Sequence, residues 1–321
     1  MQLPRKPSEM ALINGGVFND ITGLIGNTPM VRINRMIGPN DATIYAKLEW
    51  YNAGGSVKDR LGLYIMEYAE SAGKLEGAKG GTGKTILEAT SGNTGIALSM
   101  IAAAKGYKIA IVMPESVSVE RRKIIRAYGA ELILSPGAKG TAGAIELKQN
   151  MLRDNPDKFV DVDQFRDPAN IMAHYQTTGR EILEQTGGRL DAIVIGVGTA
   201  GTGVGTSMRV KETNPDVKII GVTPKLGVSV QGLRNPSEAF PTQLYRGDQF
   251  DEVVEIGDQE KSASFDVARE VARKEGLLVG MSAGSIMYVA LKKAKELGKG
   301  NVIVAVLPDE GERYLSTNLY E

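Results

Sequence analysis

Cysteine is absent from the 321 residues, and histidine occurs once, as His174. The absence of cysteine excludes disulfide frameworks, cysteine nucleophiles, iron–sulfur clusters and thiolate zinc sites. A single histidine leaves no histidine cluster for a metal ion, and a Ser-His-Asp triad would have to use His174. The G-x-S-x-G motif that usually carries a nucleophilic serine is also missing. We therefore expect no resident metal and a chemistry based on other groups.

An excess of charge and long apolar runs are missing as well. Lys+Arg and Asp+Glu both number 38, so the net charge is zero and nothing favours a nucleic acid as partner. No apolar run has the length of a membrane span. The N-terminal run Met-Gln-Leu-Pro-Arg-Lys-Pro lacks the apolar core of a secretion signal. The sequence predicts a cytoplasmic protein that acts on small molecules, without nucleic acid or membrane partners.

Short β-rich runs alternate with helical runs along most of the chain. The runs predicted as strands are residues 44–48, 85–89, 109–113, 131–134, 159–162, 192–197, 217–222, 277–279 and 302–307. This alternation indicates an α/β fold with mostly parallel sheets that are covered by helices on both faces. Residues 227–251 show neither a strand-like nor a helical pattern. A loop of this length usually lines a functional site.

Residues 51–60 read Tyr-Asn-Ala-Gly-Gly-Ser-Val-Lys-Asp-Arg and place Lys58 where a glycine turn leads into a helix. Ser56 and Asp59 have the S-x-x-D spacing of a capping box, so Lys58 is predicted to lie in the first helical turn. The peptide dipoles at that end disfavour an ammonium and should lower the pKa of Lys58. A lysine of low pKa suits Schiff-base chemistry, although an ordinary surface lysine could have the same sequence setting.

Two further loops follow predicted strands and open predicted helices. Residues 196–201, Gly-Val-Gly-Thr-Ala-Gly, match G-x-G-x-x-G, but the acidic residue that would hold a ribose about 20 positions later is absent. We interpret this loop as a phosphate site without dinucleotide recognition. Residues 90–95, Thr-Ser-Gly-Asn-Thr-Gly, offer hydroxyls, an amide and backbone N–H groups, which suit a carboxylate. Together with Lys58, these loops suit a pyridoxal phosphate enzyme that acts on an amino acid.

The sequence resembles the cysteine synthase (O-acetylserine or O-phosphoserine sulfhydrylase) and cystathionine β-synthase group of fold-type II pyridoxal phosphate enzymes. The resemblance covers nearly the whole chain, from Ile-Gly-Asn-Thr-Pro-Met-Val at residues 25–31 to Gly-Glu-Arg-Tyr-Leu-Ser-Thr at residues 311–317. It implies a tryptophan synthase β-like α/β fold with two three-layer αβα lobes. The smaller, mobile lobe would be residues 50–160 and would carry the substrate carboxylate loop. The larger lobe, residues 1–49 and 161–321, would bind the cofactor phosphate.

The resemblance also implies roles for individual residues. Lys58 would carry pyridoxal 5'-phosphate as a Schiff base and then act as the general base. Asn93 would hydrogen-bond the ring oxygen of the cofactor, and Ser282 would face its pyridine nitrogen. The cofactor phosphate would be held by Gly198, Thr199, Gly201 and Thr202. The substrate carboxylate would be held by Thr90, Ser91, Thr94 and Gln164.

Ser282 has a consequence for the type of reaction. A serine hydroxyl cannot keep a pyridine nitrogen protonated, so the ring is a weak electron sink and favours prompt loss of a β-substituent over transamination or racemisation. The implied reaction is β-replacement on an activated L-serine through an aminoacrylate. With sulfide as the nucleophile, the product would be L-cysteine.

The phosphate loop departs from the family pattern at Ala200, where a glycine is usual. An alanine is acceptable at this position only if its φ angle is negative. Thr223 and Ala89 replace the Glu and Pro of two other family motifs, and none of the three changes removes a catalytic group. They indicate a divergent branch of the family.

The activating group of the serine donor is open between acetyl and phosphate. Residues 230–235, Val-Gln-Gly-Leu-Arg-Asn, resemble a phosphoserine-using branch, in which Arg234 would bind the phosphate leaving group. The alternative is a loop arginine in solvent.

Several alternatives for nucleophile, partner and activity also stay open. Homocysteine or sulfur from a carrier protein could replace sulfide, although relatives that use the carrier have a longer C-terminal tail. The resemblance implies a homodimer and leaves serine acetyltransferase or a sulfur-carrier protein open as partners. Alternative activities are a serine/threonine dehydratase and a diaminopropionate-forming synthase. The alternative outside enzymes is a cofactor-free regulatory protein on this fold.

Overall fold

The computed structural model describes residues 16–75, 83–90, 92–238 and 240–321. By their internal contacts the residues fall into two compact units. The first holds the described residues up to Asn27, together with Asn52–Gly54 and Lys58–Asn170. The second holds Thr28–Tyr51, Gly55–Val57 and Ile171–Glu321.

The first unit contains a four-stranded parallel sheet with the strand order β5-β4-β3-β6. Its strands are β3 (Thr85–Ala89), β4 (Ile109–Pro114), β5 (Glu131–Ser135) and β6 (Phe159–Asp161). Its helices are α1 (Lys58–Ser71), α2 (Asn93–Lys105), α3 (Val119–Ala127) and α4 (Gly140–Asp154), with 3-10 turns at Ile21–Leu24 and Gly137–Lys139. The short helix α5 (Ala169–Ala173) follows at its end.

Both faces of this sheet are covered. Successive side chains of a strand point to opposite faces, and the apolar side chains of β3 accordingly divide between two cores. Ile86 packs in a core with side chains from α1, α2 and α3. Leu87 and Ala89 pack in a second core with Ala144 and Ile145 of α4.

The second unit contains a six-stranded sheet with the strand order β1-β2-β10-β7-β8-β9, in which only the pair β1 and β2 is antiparallel. Its strands are β1 (Met30–Arg32), β2 (Thr43–Leu48), β7 (Ala192–Gly196), β8 (Lys218–Pro224), β9 (Glu252–Ile256) and β10 (Val302–Leu307). Its longer helices are α6 (Gly179–Thr186), α7 (Gly201–Thr213), α8 (Asp258–Glu275) and α9 (Met281–Leu297). A π-helix at His174–Thr178 and 3-10 turns at Glu49–Tyr51, Gly247–Gln249 and Gly311–Tyr314 complete it.

This sheet is also covered on both faces. Ala192 and Val194 of β7 pack in a core with side chains of α8 and α9. Ile193 and Ile195, which point the other way, pack with side chains of α6 and α7. Each unit is therefore a three-layer arrangement, and the predicted α/β fold class with mostly parallel sheets is confirmed. Among the described helices, none has the length and apolar character that crossing a membrane requires.

One predicted strand is wrong and two strands were not predicted. Residues 277–279 form no strand, and Val279 makes only an isolated bridge with Glu310. These residues connect the end of α8 at Gly276 to Gly280, which precedes α9. The strands β1 and β9, at the two edges of the second sheet, carry no clear period in the sequence.

Candidate active site

Lys58 is the first residue of α1 and is half-buried. The carboxylate of Asp59, the next residue, accepts the backbone N–H of Gly54 through Oδ2 at 2.6 Å. A Cβ atom on Gly54 would lie only 2.7 Å from Oδ1 of Asp59, so this close return of the carboxylate requires glycine. The glycine turn and Asp59 thus fix the start of α1, and Lys58 lies in the first helical turn as the sequence predicts.

The predicted carboxylate loop connects β3 to α2. Thr90 and Thr94 are buried, Asn93 is half-buried, and Oγ1 of Thr90 accepts the backbone N–H of Gly92 at 3.1 Å. Asn93 and Thr94 form the first turn of α2, where backbone N–H groups point out of the helix end. Ser91 lies outside the described residues.

Gln164 follows β6 and lies beside this loop. Its side-chain oxygen accepts the hydroxyl of Thr94 at 2.7 Å. Its amide nitrogen donates to the carbonyl oxygen of Ala89 at 3.1 Å and to Oε1 of Glu88 at 3.4 Å. The first unit therefore brings Thr90, Thr94 and Gln164 together at the end of β3.

The predicted phosphate loop connects β7 to α7. A Cβ atom on Gly198 would lie 2.8 Å from the carbonyl oxygen of Gly232, so the two backbones meet where only glycine fits. The backbone N–H of Arg234 donates to the carbonyl oxygen of Val197 at 2.8 Å and holds the two segments together.

The hydroxyl-bearing residues of this loop are buried. Thr199 and Thr202 are 6% and 8% exposed, and Gly201 is the first residue of α7. The carbonyl oxygen of Thr199 accepts the hydroxyl of Thr242 at 2.7 Å, which fixes the loop from its other side. The loop therefore offers hydroxyls and a helix N-terminus in one place.

The expectation of a negative φ angle at Ala200 is wrong. Ala200 has φ +70° and ψ −14°, which is the left-handed region. The residue turns the chain directly before α7 begins at Gly201, and an L residue pays about 1–2 kcal/mol in that conformation. The bonds that Val197 and Thr199 make to neighbouring segments hold the turn in place.

Ser282 is the second residue of α9 and is 1% exposed. Gly232 approaches it closely, because a Cβ atom on Gly232 would lie 2.9 Å from the Ser282 hydroxyl oxygen. Gly232 therefore contacts both the phosphate loop and Ser282, and it brings the two together within the second unit. Gly232 was not among the predicted site residues. The sequence marks it only as a glycine within the predicted loop of residues 227–251.

His174 is the second residue that the sequence did not predict for this site. It is fully buried, and its Nε2 lies 3.2 Å from the hydroxyl of Thr202. Its Nδ1 lies 2.9 Å from the hydroxyl of Thr178. The sequence marks His174 only as a lone histidine in a helical run.

Arg234 is buried and does not extend into solvent. Its Nε donates to Oε2 of Glu238 at 3.2 Å. Burial lowers the pKa of the Arg234 guanidinium, and the nearby Glu238 carboxylate opposes that effect. An anion that binds through Nε of Arg234 therefore competes with Glu238.

Taken one by one, the donor groups of the two units suit the parts of a phosphorylated pyridine aldehyde. The N-terminus of α7 and the hydroxyls of Thr199 and Thr202 suit a phosphate, the Lys58 amine suits an aldehyde, and the Ser282 hydroxyl suits a pyridine nitrogen. The close approach of Gly198 and Gly232 keeps side chains out of the loop. Among the side chains that the structure describes, no group of three or more acidic or histidine residues is placed to hold a metal ion.

Comparison with known proteins gives a consistent result. Residues 21–309 match the family model described as "Pyridoxal-phosphate dependent enzyme". A cysteine synthase of Staphylococcus aureus is 41% identical over 310 residues, which cover 94% of this chain and 97% of that protein. The crystal structure of O-ureido-L-serine synthase superposes with a TM-score of 0.87 at 39% identity and covers 95% of this chain and 96% of its own. A cysteine synthase structure from Entamoeba histolytica has a TM-score of 0.85 at 37% identity and covers 100% of this chain and 94% of its own.

Proposed function

This chain belongs to the family of pyridoxal-phosphate dependent enzymes, and we propose that it is a cysteine synthase. It would bind pyridoxal 5'-phosphate and convert an activated L-serine and sulfide into L-cysteine by β-replacement. The similarity to cysteine synthases over almost the whole chain supports this activity.

The observation that carries the proposal is the position of Lys58 at the first residue of α1, behind the turn that Asp59 and Gly54 fix. An amine at a helix N-terminus is disfavoured as an ammonium, so it is suited to react as a neutral nucleophile. The same residue type at this position is what the family resemblance implies.

The cofactor would be held by the loops at residues 90–95 and 196–201 and by Ser282. Gly198, Thr199, Gly201 and Thr202 would bind its phosphate, and Asn93 would donate to its ring oxygen. The Ser282 hydroxyl would meet the pyridine nitrogen without protonating it. When bound, pyridoxal phosphate withdraws electrons from the α-carbon of an amino acid and so permits loss of a group from the β-carbon.

Lys58 would have two tasks in sequence. Its Nζ would hold the cofactor at the aldehyde carbon. It would also accept the proton that leaves the substrate α-carbon, while the leaving group departs from the β-carbon with its bonding electrons. Sulfide would take the place of the leaving group at the β-carbon, and return of the proton from Lys58 to the α-carbon would give L-cysteine.

The substrate would be positioned through its carboxylate. Thr90, Ser91, Thr94 and Gln164 would bind this group at the N-terminus of α2, where the helix dipole favours an anion. Fixing the carboxylate would orient the α-hydrogen towards Lys58 and the β-substituent towards its exit.

The donor would be O-acetylserine or O-phosphoserine. Arg234 supports the phosphorylated donor because a guanidinium binds phosphate with paired hydrogen bonds. Glu238 works against it, since its carboxylate already accepts from Nε of Arg234. Both donors therefore belong to the proposal.

The remaining parts of the proposal follow from the resemblance. The region of residues 50–160 would be the smaller lobe that closes over bound substrate and excludes water. The protein would act in the cytoplasm as a homodimer, and serine acetyltransferase or a sulfur carrier would be its protein partners. Homocysteine in place of sulfide, which would give cystathionine, is the second nucleophile to test.

The test uses the purified protein and its visible absorbance. We expect a yellow protein whose spectrum changes when O-acetylserine, O-phosphoserine or both are added, and whose spectrum recovers on addition of sulfide with formation of cysteine. Lys58→Ala should remove the protein-bound colour and the activity, while Lys139→Ala, at an exposed lysine of the same unit, should change neither. Full activity of Lys58→Ala, or keto-acid and ammonia as the only products with sulfide present, would overturn the proposal.

A further inference from the structure

A buried acidic group lies directly behind the carboxylate loop. Glu88 of β3 is fully buried, and its Oε2 lies 3.9 Å from Nζ of Lys148 in α4. The same ammonium lies 2.9 Å from Oδ1 of Asp161 and 3.9 Å from Oδ2 of Asp163. Three carboxyl groups from β3, β6 and the following loop therefore share one buried lysine.

The surroundings of Glu88 favour its protonated form. Burial raises the pKa of the Glu88 carboxyl to about 8, with Asp161 and Asp163 acting in the same direction and Lys148 opposing them. One ammonium cannot compensate three carboxylates at these distances, and Glu88 is the most buried of the three. Near neutral pH the Glu88 carboxyl group therefore carries a proton, which it loses in mildly alkaline solution.

Glu88 contacts the amide of Gln164, and this contact is part of a directional chain of hydrogen bonds. The Gln164 nitrogen donates to Glu88 and to the carbonyl oxygen of Ala89, while the Gln164 oxygen accepts the Thr94 hydroxyl. A hydroxyl has one proton and an amide nitrogen has two. With this orientation of the Gln164 amide, the N–H groups of Gln164 and the O–H group of Thr94 all donate to protein acceptors. A substrate carboxylate needs donors, and neither residue then has a proton left to donate to it.

We propose that Glu88 is a positioning residue for the substrate carboxylate. A proton on Glu88 allows the side-chain amide of Gln164 to rotate by half a turn, so that its oxygen and nitrogen exchange places. After the turn, the Glu88 O–H donates to the Gln164 oxygen, and the Gln164 nitrogen faces Thr94 and the substrate. The Thr94 proton is then released from Gln164 and is available to the substrate carboxylate. One proton on Glu88 thus reverses the direction of the whole chain.

The charged form of Glu88 has the opposite effect. An ionised Glu88 would oppose the turned amide, because two acceptor oxygens would then face each other in a buried site. The turn also places the Gln164 oxygen where its nitrogen had donated to the Ala89 carbonyl, so one hydrogen bond is lost and two oxygens face each other there. Charge-assisted bonds to the substrate carboxylate offset this cost. This inference rests on the proposed function, since the carboxylate in question is that of the amino acid donor.

The test measures binding of L-alanine, an amino acid without a leaving group, to the cofactor-loaded protein at pH 7 and pH 9 by absorbance and by calorimetry. In Glu88→Gln the side-chain N–H replaces the carboxyl O–H and does not titrate. With a pKa of about 8 for Glu88, the binding-competent fraction of the wild type falls about tenfold between these pH values. We expect the affinity ratio of wild type to Glu88→Gln to fall by that factor, while titration of alanine itself cancels in the ratio.

Two more variants separate positioning from a structural effect. Glu88→Met offers no donor and should bind L-alanine at least tenfold more weakly than Glu88→Gln at both pH values. Glu70→Gln removes a carboxylate that pairs with Lys105 in the same unit, and it should keep the wild-type pH profile. If Glu88→Met does not fold, the pH dependence of L-alanine affinity in wild type and Glu88→Gln is sufficient to test the role of Glu88.

The outcomes distinguish this inference from the proposed function. Coinciding pH profiles of wild type and Glu88→Gln, with cysteine formed by both, would overturn only the role of Glu88. A wild-type protein that neither binds L-alanine nor forms cysteine would overturn the proposed function, and the role of Glu88 with it.

Discussion

The imidazole Nε2 of His174 lies 3.2 Å from the hydroxyl of Thr202, a residue of the phosphate loop. The other ring nitrogen lies 2.9 Å from Thr178, so the ring is held from both sides within a π-helix. When Nε2–H of His174 donates to the Thr202 oxygen and Nδ1 accepts from the Thr178 hydroxyl, Thr202 keeps its own proton for another acceptor. In this tautomer His174 prepares Thr202 to donate to the cofactor phosphate, as proposed.

The first prediction concerns the affinity for pyridoxal phosphate. His174→Phe should weaken cofactor binding about fivefold, because Thr202 would lose a hydrogen bond that is worth about 1 kcal/mol. His174→Gln, whose terminal amide can reach towards Thr202, should recover most of the affinity. Fluorescence titration of the cofactor-free protein measures both, and equal affinities in wild type and His174→Phe would contradict the assignment.

Ala200 leads to a prediction about stability. Its left-handed conformation costs about 1–2 kcal/mol for an L residue, while glycine loses about 0.5–1 kcal/mol more backbone entropy on folding. Ala200→Gly should therefore stabilise the protein by up to about 1.5 kcal/mol in urea unfolding. The matched control is Ala272→Gly in the interior of α8, which should destabilise it by about 1 kcal/mol. Destabilisation of similar size in both variants would show that the turn is not strained.

Donor choice depends on the competition between Glu238 and phosphate for Arg234. Arg234→Ala should lower kcat/KM for O-phosphoserine at least tenfold and leave O-acetylserine nearly unaffected, since a hydrogen bond to a charged group contributes about 1.5–3 kcal/mol. Glu238→Gln should shift the preference towards O-phosphoserine, because it removes the carboxylate that accepts from Nε of Arg234. Steady-state kinetics with both donors checks these changes. Equal losses on both donors in Arg234→Ala would indicate a structural role only.

The positions of the loops could be predicted from the sequence, because each depends on local signals. A buried strand, a glycine-rich turn and a helix start follow one another at Lys58, at residues 90–95 and at residues 196–201. Helix N-termini are determined by neighbouring residues, as the bond from Gly54 to Asp59 illustrates. The edge strand β1 lacks such a signal, since its three residues become a strand only by pairing with β2.

The contacts that support the loops could not be predicted in this way. Gly232 meets Gly198 and Ser282 across long stretches of sequence, and His174 reaches Thr202 from a neighbouring helix. Such pairs depend on how strands and helices pack and not on local propensity. The negative φ expected at Ala200 failed for a related reason, because the bonds of Val197 and Thr199 hold the turn against the preference of the alanine.

Glu88 leads to a prediction about the pH dependence of stability. The pKa of its carboxyl is about 8 in the folded protein against an ordinary value of 4.5. Between these values Glu88 holds a proton in the folded protein that it releases in the unfolded chain, so its contribution to the free energy of unfolding falls as the pH rises through this range. For this one group the slope approaches about 1.4 kcal/mol per pH unit. Glu88→Gln does not titrate there, so its stability relative to the wild type should increase from pH 5 to pH 8. Urea unfolding at several pH values measures this difference, and a difference that is constant with pH would show that Glu88 is already ionised at neutral pH.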